Sequence, residues 1–152
     1  MGALASGGIT VLNRDVIQAL GIPQQIIDAV VAREQPELER REREYRDRRP
    51  PLELKERTAI LVDDGLATGS SMRVAAKALR QKSAAQIVVA VPVAALSTCA
   101  EFEAEVDRIV CAFTPERFRA VGQWYCDFSQ TTDEEVRELL ARAALPSISR
   151  AA

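Results

Sequence analysis

Two adjacent carboxylates, Asp63 and Asp64, stand at the end of the apolar run TAILV and directly before the loop GLATGSS. In an open α/β sheet, ligands bind at the carboxyl ends of the strands. Gly65 and Gly69 fall where a backbone must turn sharply or approach a ligand closely. The pattern therefore predicts a ligand site in which two acids lie beside a turn of small residues.

The loop after the two acids has the composition of an anion site. Thr68, Ser70 and Ser71 offer hydroxyl donors. Free N–H groups of the loop and of the following helix N-terminus form a nest for an anion. Carboxylates repel a phosphate, but they accept hydrogen bonds from sugar hydroxyls or hold a metal ion. A ligand with a phosphate beside a diol, such as a ribose 5-phosphate, satisfies both halves.

Three other phosphate motifs do not fit this loop. A Walker A loop requires GxxxxGK[ST], and the lysine and the spacing are both missing. The GxGxxG of dinucleotide-binding folds is absent, and so is the DxDxT of haloacid-dehalogenase-type phosphatases. A tight strand-to-helix turn with capping residues explains one Asp and one Gly. It does not explain two acids, two glycines and three hydroxyls together.

The composition of the chain excludes several classes of function. A length of 152 residues is typical of one domain, and a net charge of −2 gives no general attraction to nucleic acid or anionic membranes. No apolar run approaches the roughly 18 residues of a transmembrane helix. The N-terminal residues MGALASGGITVLN lack the basic and apolar regions of a signal peptide. We therefore predict a cytoplasmic protein without nucleic-acid or membrane partners.

The cysteine and histidine content bears on metals and nucleophiles. The chain has no histidine, and Cys99, Cys111 and Cys126 form no CxxC pair. A zinc site is therefore not expected, and a histidine-dependent catalytic triad is excluded. We predict that all three cysteines are buried structural thiols.

Residues 58–145 have the pattern of an α/β core. TAILV, QIVVAVPVA and DRIVCAF are short apolar runs of the kind found in parallel strands covered on both faces. A helix is predicted over 71–82, and Thr98 with Glu101 has the spacing of a capping box for the next one. Thr132 with Glu135 has the same spacing before the last helix. The order predicts an open, mainly parallel sheet flanked by helices.

Residues 1–57 are predicted to form a helical or flap region within a single domain that spans 1–152. ITVL is a candidate strand, and RDVIQAL a short helix capped by Asn13 and closed by Gly21. A longer charged helix follows, and we expect Pro36 to kink or split it. Its alternating charges favour a solvated helix, with a mobile flap or a dimer contact as alternatives. Residues 52–57 are predicted to be a linker.

The segment ILVDDGLATGSSM closely resembles the phosphoribosyl-pyrophosphate (PRPP) binding motif of the type I phosphoribosyltransferases. ASGG, VLN, REQPELERRER, RPPL, VPVA and FSQTTDEEV resemble a bacterial and archaeal subgroup of that family, so the resemblance covers nearly the whole chain. It implies the type I phosphoribosyltransferase fold. It also implies transfer of a 5-phosphoribosyl group from PRPP to a nitrogenous acceptor, with release of pyrophosphate.

The resemblance also implies roles for individual residues. Asp63 and Asp64 would be the catalytic acids, which bind the ribose 2- and 3-hydroxyls. Magnesium would be carried by PRPP rather than held by protein ligands, and would bridge the pyrophosphate and the ribose hydroxyls. The 5-phosphate and its ribose would be bound by the acids together with Gly65, Leu66, Ala67, Thr68, Gly69, Ser70 and Ser71.

The acceptor site of the family often lies near the C-terminal end and stacks a base on an aromatic ring. Phe118, Trp124, Tyr125 and Phe128 form the only dense aromatic cluster of the sequence. Trp124 and Tyr125 are therefore candidates for base stacking. Packing in the core, or a lid over the sheet, is the alternative for each of them.

The chain departs from the family in one respect. The subgroup's pyrophosphate loop, which resembles LPRGG, and a basic segment resembling RKLG precede MGALASGG in the relatives, and neither occurs here. We therefore expect an N-terminally shortened domain with an exposed sheet edge, which self-associates as a homo-oligomer such as a dimer. We also expect weak PRPP binding and little transfer. The alternative function is a non-catalytic module that binds PRPP or a nucleoside monophosphate, or a shortened inactive homologue.

Overall fold

The computed structural model describes residues 2–5, 8–46 and 53–144. The elements, in chain order, are strands β1 (Gly2–Ala5) and β2 (Ile9–Leu12), helices α1 (Arg14–Ala19) and α2 (Gln24–Arg46), strand β3 (Thr58–Val62), helix α3 (Ser70–Gln81), strand β4 (Gln86–Val93), helix α4 (Leu96–Phe102), strand β5 (Arg108–Phe113), a 3-10 turn (Val121–Trp124) and helix α5 (Asp133–Ala144).

A three-stranded parallel sheet with the order β3-β4-β5 forms the centre of the structure. Val62 pairs with Ala90, and Ala90 pairs with Val110. Helices α3 and α4 connect the strands, as parallel neighbours require. Strands β1 and β2 form a separate antiparallel hairpin that packs on α3. The prediction of an α/β fold with a parallel sheet flanked by helices is confirmed.

The hydrophobic core lies on one face of this sheet. Alternate residues of a strand point to the same face, and Ile87, Val89 and Val91 of β4 are buried there. Leu66 and Phe102 pack against them and are also fully buried. The core therefore supports the two segments that follow β3 and β4, where the candidate site lies.

The opposite face of the sheet is open in the structure. We call it the uncovered sheet face and define it by Ile60, Val62, Val88, Ala90 and Val110. Ile60 is 65% exposed, Val62 72% and Val110 42%. The prediction that the strands are covered on both faces is therefore wrong for the described chain. An apolar strand indicates that its side chains favour burial. It does not show which part of a protein covers them.

The charged helix is a single helix rather than two. Helix α2 continues through Pro36, although proline lacks the N–H of one helical hydrogen bond. Its C-terminal part docks on α5, because Arg40 forms an ion pair with Asp133 at 3.0 Å and the Tyr45 hydroxyl donates to the same carboxylate. The predicted split at Pro36 is wrong, and the predicted solvated helix is tied to α5 at this end.

The helix caps follow the sequence pattern in two places. The Asn13 side chain accepts a hydrogen bond from the Val16 amide at the start of α1. At the start of α5, the Thr132 hydroxyl accepts from the Glu135 amide and the Glu135 carboxylate accepts from the Thr132 amide. These reciprocal bonds are those of a capping box. Both predicted caps are confirmed.

The cysteines differ from the prediction. Cys99 of α4 and Cys111 of β5 form a disulfide that packs, partly buried, against the core. Cys126 is a free and exposed thiol. The prediction of three buried free thiols is wrong. Their spacing in the sequence does not reveal that α4 lies over the strand that follows it.

Within the described ranges, no helix combines the length and the apolar character needed to cross a bilayer.

Candidate functional site

The two acids lie in an interruption of the sheet. Strand β3 ends at Val62, and pairing resumes at Leu66, which forms an isolated parallel bridge with Ala94. The Leu66 amide donates to the Val93 carbonyl at 3.0 Å. Asp63 and Asp64 are exposed between these two fixed points. The structure therefore places both carboxylates at the carboxyl end of the strand, as the sequence predicted.

The carboxylates of Asp63 and Asp64 influence one another. The Asp64 amide donates to Oδ1 of Asp63 at 3.0 Å, which fixes the first side chain against the second residue. Partial burial raises the pKa of Asp64, and the negative charge of Asp63 raises it further. The pair therefore carries negative charge that is not fully compensated, and it suits a partner that donates hydroxyl hydrogens or brings a cation.

The two glycines of the loop are required by contact. A Cβ on Gly65 would lie 2.8 Å from the Val93 carbonyl oxygen and 2.8 Å from a methyl group of Val121. Gly69 has φ +69°, and a Cβ there would lie 2.4 Å from the Phe102 ring. A side chain at either position would displace the backbone or the core. The loop is thus held directly against the structure behind it.

Three successive carbonyl groups of the loop are bound by that structure. The Leu66 carbonyl accepts from the Ala95 amide at 3.1 Å. The Ala67 carbonyl accepts from Oγ1 of Thr98 at 2.7 Å. The Thr68 carbonyl accepts from Nη1 of Arg73 at 2.6 Å. The predicted capping box at Thr98 is therefore wrong: α4 begins after Ala95, and Thr98 lies inside it with its hydroxyl turned to the loop.

Three consecutive amide groups of the same loop have no acceptor in the parts of the chain that the structure describes. Within the described ranges, the amides of Ala67, Thr68 and Gly69 donate no hydrogen bond. Helix α3 begins immediately after Gly69, which has no side chain with which to cap it. Such a helix start presents unsatisfied N–H groups and a partial positive charge. The loop and the helix together can bind an anion.

The predicted hydroxyl donors do not all point to one place. Oγ1 of Thr68 and Oγ of Ser70 lie 3.3 Å apart beside the loop amides. Ser71, in contrast, lines a mainly apolar cavity of about 660 Å³ between the β1–β2 hairpin, α2 and α3. The structure therefore brings Thr68 and Ser70 together and places Ser71 at the edge of a second space.

Arg73 joins the loop to α4. Its guanidinium forms ion pairs with Glu101 at 2.6 Å and Glu105 at 2.7 Å, and it lies 4.9 Å from the centre of the Phe102 ring. Partial burial opposes the charge, but the two carboxylates outweigh it and raise the pKa of Arg73. The side chain is thus held in one position against the Thr68 carbonyl.

The segment after β5 that carries Trp124, Tyr125 and Phe128, which we call the aromatic segment, lies beside the acids. The Tyr125 hydroxyl donates to the Asp64 backbone carbonyl at 2.6 Å, and the Tyr125 ring lies 5.2 Å from that of Phe128. Trp124 packs edge-on against Phe113 at the end of β5, with ring centres 5.1 Å apart. The structure thus brings Tyr125 to the acids and Trp124 to the neighbouring strand end. Both rings are partly exposed.

No group of three or more Asp, Glu, Cys or His side chains with metal-binding geometry occurs in the part of the chain that the structure describes. Asp63 and Asp64 therefore remain the carboxylates that the sequence suggested for a metal ion, and the structure places them side by side. Oxygen ligands of this kind suit hard divalent cations.

The family of the chain follows from its sequence. A model of the phosphoribosyl transferase domain matches residues 3–127, which include the acids, the loop, α4 and the aromatic segment up to Asp127. The chain belongs to the phosphoribosyl transferase domain family. The resemblance of the strand-end motif to that family is confirmed.

Similar proteins that carry a matching name support the assignment of this phosphoribosyl transferase domain. Two Mycobacterium tuberculosis proteins, "Putative phosphoribosyl transferase MT0597" (strain CDC 1551 / Oshkosh) and "Putative phosphoribosyl transferase Rv0571c" (strain ATCC 25618 / H37Rv), are each 39% identical over 142 residues. The match covers 93% of this chain and 32% of each relative. The chain therefore spans about a third of the length of these relatives.

A solved structure is also similar to this phosphoribosyl transferase domain. The crystal structure of TT1426 from Thermus thermophilus superimposes with a TM-score of 0.69 and 35% sequence identity. The match covers 88% of this chain and 62% of TT1426. The strand and helix arrangement of the chain is thus shared with a protein whose structure has been determined.

The structure of this phosphoribosyl transferase domain adds residues that the motif did not identify. Thr98, Arg73 and Phe102 support the loop from behind, and the sequence reasoning assigned none of them to the site. Thr98 is 6% exposed and Phe102 is fully buried. A signal was available, since a loop that turns its amides outward requires donors for its carbonyls.

Proposed function

We propose that this chain binds the ribose 5-phosphate part of PRPP and takes part in transfer of the 5-phosphoribosyl group to a nitrogenous acceptor, with release of pyrophosphate. One observation carries the proposal. Two exposed carboxylates at the end of β3 adjoin a loop in which the Ala67, Thr68 and Gly69 amides have no acceptor among the described residues, while three successive loop carbonyls are bound. Membership of the phosphoribosyl transferase family supports it.

In this proposal each half of the motif has its own part of the ligand. Asp63 and Asp64 accept hydrogen bonds from the ribose 2- and 3-hydroxyls. The amides of the loop and the hydroxyls of Thr68 and Ser70 bind the 5-phosphate. The ribose gains positive charge as its bond to pyrophosphate breaks, so nearby carboxylates stabilise the transition state. The remaining contribution of the protein is to position the reactants.

Magnesium fits this proposal as a companion of the substrate. Carboxylate oxygens suit Mg²⁺, which commonly keeps few protein ligands and several substrate oxygens. Asp63 and Asp64 are the residues that would lie next to the ion. When it is bound with PRPP, it supplies neutralisation of the pyrophosphate charge.

Tyr125 and Trp124 are the proposed contacts of the acceptor base. Tyr125 supports this role most directly, because its hydroxyl contacts the residue that would bind the ribose. Both residues are partly exposed, and aromatic rings of this kind can stack on a base. We further propose that the chain acts in the cytoplasm and associates as a homodimer through the uncovered sheet face.

The test is calorimetric titration with PRPP and Mg²⁺ and with ribose 5-phosphate. The variant Asp63→Asn with Asp64→Asn is expected to lose binding of both ligands while it keeps its circular dichroism spectrum. A matched control, Asp28→Asn with Glu138→Gln, removes the same charge from α2 and α5 and is expected to bind as the wild type does. Equal affinity in the wild type and the Asp63/Asp64 variant would refute the proposed site.

Turnover is tested separately from binding. Release of pyrophosphate from isotope-labelled PRPP is measured with a panel of nitrogenous bases. Acceptor-dependent release supports the transferase function. Ligand binding without release for any acceptor would instead support a module that binds PRPP or nucleoside monophosphates.

A further inference from the structure

We propose that Thr98 and Arg73 are positioning residues that direct the amides of Thr68 and Gly69 at the phosphate of the ligand. This inference rests on the proposed function, because it assigns a task to two residues behind the proposed phosphate loop. Neither side chain needs to touch the ligand to perform it.

The geometry of a trans peptide unit links the direction of each loop carbonyl to that of the next amide. The carbonyl of one residue and the N–H of the next lie in one plane and point in opposite directions. No cis peptide bond occurs within the described ranges. When the Ala67 carbonyl is bound by Thr98, the Thr68 N–H must therefore point away from α4. When the Thr68 carbonyl is bound by Arg73, the Gly69 N–H must point away from Arg73.

Thr98 is built for this contact. Among the side chains that the structure describes, it is the one buried polar side chain, with 6% of its surface exposed. A threonine inside a helix commonly donates its hydroxyl hydrogen to a carbonyl of the preceding turn. Here the single hydroxyl hydrogen goes to the Ala67 carbonyl, 31 positions earlier in the chain. The contact therefore serves the loop rather than the helix that carries it.

Arg73 provides the second contact in a fixed orientation. Nη1 binds the Thr68 carbonyl, Nη2 binds Glu101 and Nε binds Glu105. The flat guanidinium also lies over the Phe102 ring. Its planar set of donors suits three partners in different directions, which the ammonium group of a lysine does not reproduce. The two glutamates compensate its charge, so Arg73 acts on the loop through direction rather than through attraction of the phosphate.

Both contacts depend on one short helix. Helix α4 contributes Thr98 itself, Glu101, which orients Arg73, and Phe102, which fills the space behind Gly69. The loop amides are thus aligned before any ligand arrives. Aligned donors that need no rearrangement stabilise an anion more effectively than mobile ones. The two residues have separate targets. Thr98 orients the peptide bond between Ala67 and Thr68, and Arg73 orients the peptide bond between Thr68 and Gly69.

The experiment follows the two amides by ¹⁵N–¹H NMR during titration with ribose 5-phosphate. In the wild type, both amides are expected to shift downfield. Thr98→Val keeps the shape of the side chain and removes the donor, and Thr98→Ser keeps the donor. We expect Thr98→Val to reduce the downfield shift chiefly at Thr68 and to weaken affinity about tenfold, while Thr98→Ser restores both. Arg73→Lys is expected to reduce the shift chiefly at Gly69.

The outcomes separate this inference from the proposed function. A wild type that does not bind ribose 5-phosphate would refute the proposed function, and the positioning roles with it. If the wild type binds and Thr98→Val and Arg73→Lys keep its affinity and both amide shifts, only the positioning roles are overturned. Equal losses at both amides in every variant would indicate general destabilisation and would also overturn them. Residue-specific losses with rescue by Thr98→Ser support them.

Discussion

The Tyr125 hydroxyl donates a hydrogen bond to the backbone carbonyl of Asp64 at 2.6 Å, across 61 positions of the chain. This bond connects the aromatic segment after β5 to the acids after β3. In the proposed function, a base stacked on the ring would therefore lie next to the ribose held by the acids. The bond offers a direct way to separate the contribution of the base from that of the ribose phosphate.

Tyr125→Phe removes this bond and keeps the ring. We expect it to weaken binding of ribose 5-phosphate about fivefold, because a net protein hydrogen bond contributes about 1 kcal/mol. Tyr125→Ala is expected to weaken a nucleoside monophosphate further, since base–aromatic stacking contributes about 1–3 kcal/mol. Calorimetry with both ligands gives the comparison. Trp124→Phe is the control at the second candidate for base stacking, because it keeps an aromatic ring at that position. An equal loss for both ligands in Tyr125→Ala would contradict base stacking.

Asp64 is expected to titrate above its usual pKa of 3.8, because of its partial burial and the charge of Asp63. Between the unfolded and folded pKa values, the folded state binds more protons, so this group makes the free energy of unfolding fall as pH rises through that window. Carboxyl ¹³C NMR measures the pKa directly. In Asp63→Asn, the Asp64 pKa is expected to move down. An unchanged pKa would mean that the charge of Asp63 has no influence.

The contact between α2 and α5 is expected to weaken at low pH. The Tyr45 hydroxyl and then the Arg40 guanidinium lower the pKa of Asp133. Hydrogen bonding from Arg40 lowers the pKa of Glu37 from 4.5 to about 2. The stability from both groups is present above their usual pKa values and is lost as pH falls toward 2. The protection factors of the α2 amides, which correct for the intrinsic pH dependence of hydrogen exchange, are expected to fall across that range.

The same contact can be removed at neutral pH. Asp133→Asn is expected to accelerate hydrogen exchange in the C-terminal part of α2, because Arg40 and Tyr45 lose the charged partner that they share on α5. Glu134→Gln is the matched control, since Glu134 pairs with Arg137 on its own helix. Equal exchange rates in the two variants would show that α2 does not depend on Asp133.

The uncovered sheet face is expected to drive self-association. Ile60→Thr with Val62→Thr keeps a strand-forming sequence and removes two of the most exposed apolar side chains. Sedimentation velocity over a range of concentrations is expected to show association of the wild type and less of this variant. Leu20→Thr is the control, because Leu20 is 70% exposed at the end of α1. A wild type that stays monomeric at high concentration would contradict the proposal.

The disulfide predicts a thiol count. Chains unfolded without reductant are expected to show one reactive thiol, that of Cys126, and three after reduction. Loss of the bridge is expected to reduce the free energy of unfolding by about 2–3 kcal/mol, as for other short closed loops. Urea unfolding with and without reductant measures this difference. Three thiols before reduction would show that Cys99 and Cys111 are not joined.

The sequence was sufficient for the parallel strands and the position of Asp63 and Asp64. Both follow from local patterns: short apolar runs, helical spacing between them, and acids placed where a strand must end. The two confirmed helix caps are local in the same way. The site roles of the loop residues remain predictions, although the free amides agree with the expected anion nest.

The contacts that support the loop could not be read locally. Thr98 and Glu101 have the spacing of a capping box, yet the Thr98 hydroxyl donates to the Ala67 carbonyl, 31 positions away in the sequence. The disulfide depends on how α4 lies over β5, which the spacing of Cys99 and Cys111 does not encode. Helix α2 continues through Pro36, and the ion pairs and good helix formers on both sides of the proline favour the helical state there.

The isolated bridge at Leu66 has a consequence for how the loop can vary. Val62 pairs with Ala90 and Leu66 with Ala94, so three residues separate the two pairings on each segment. An insertion or deletion in either segment would put the second pairing out of step with the first. Loops usually tolerate changes of length, but the stretch that carries the two acids is held to a fixed number of residues.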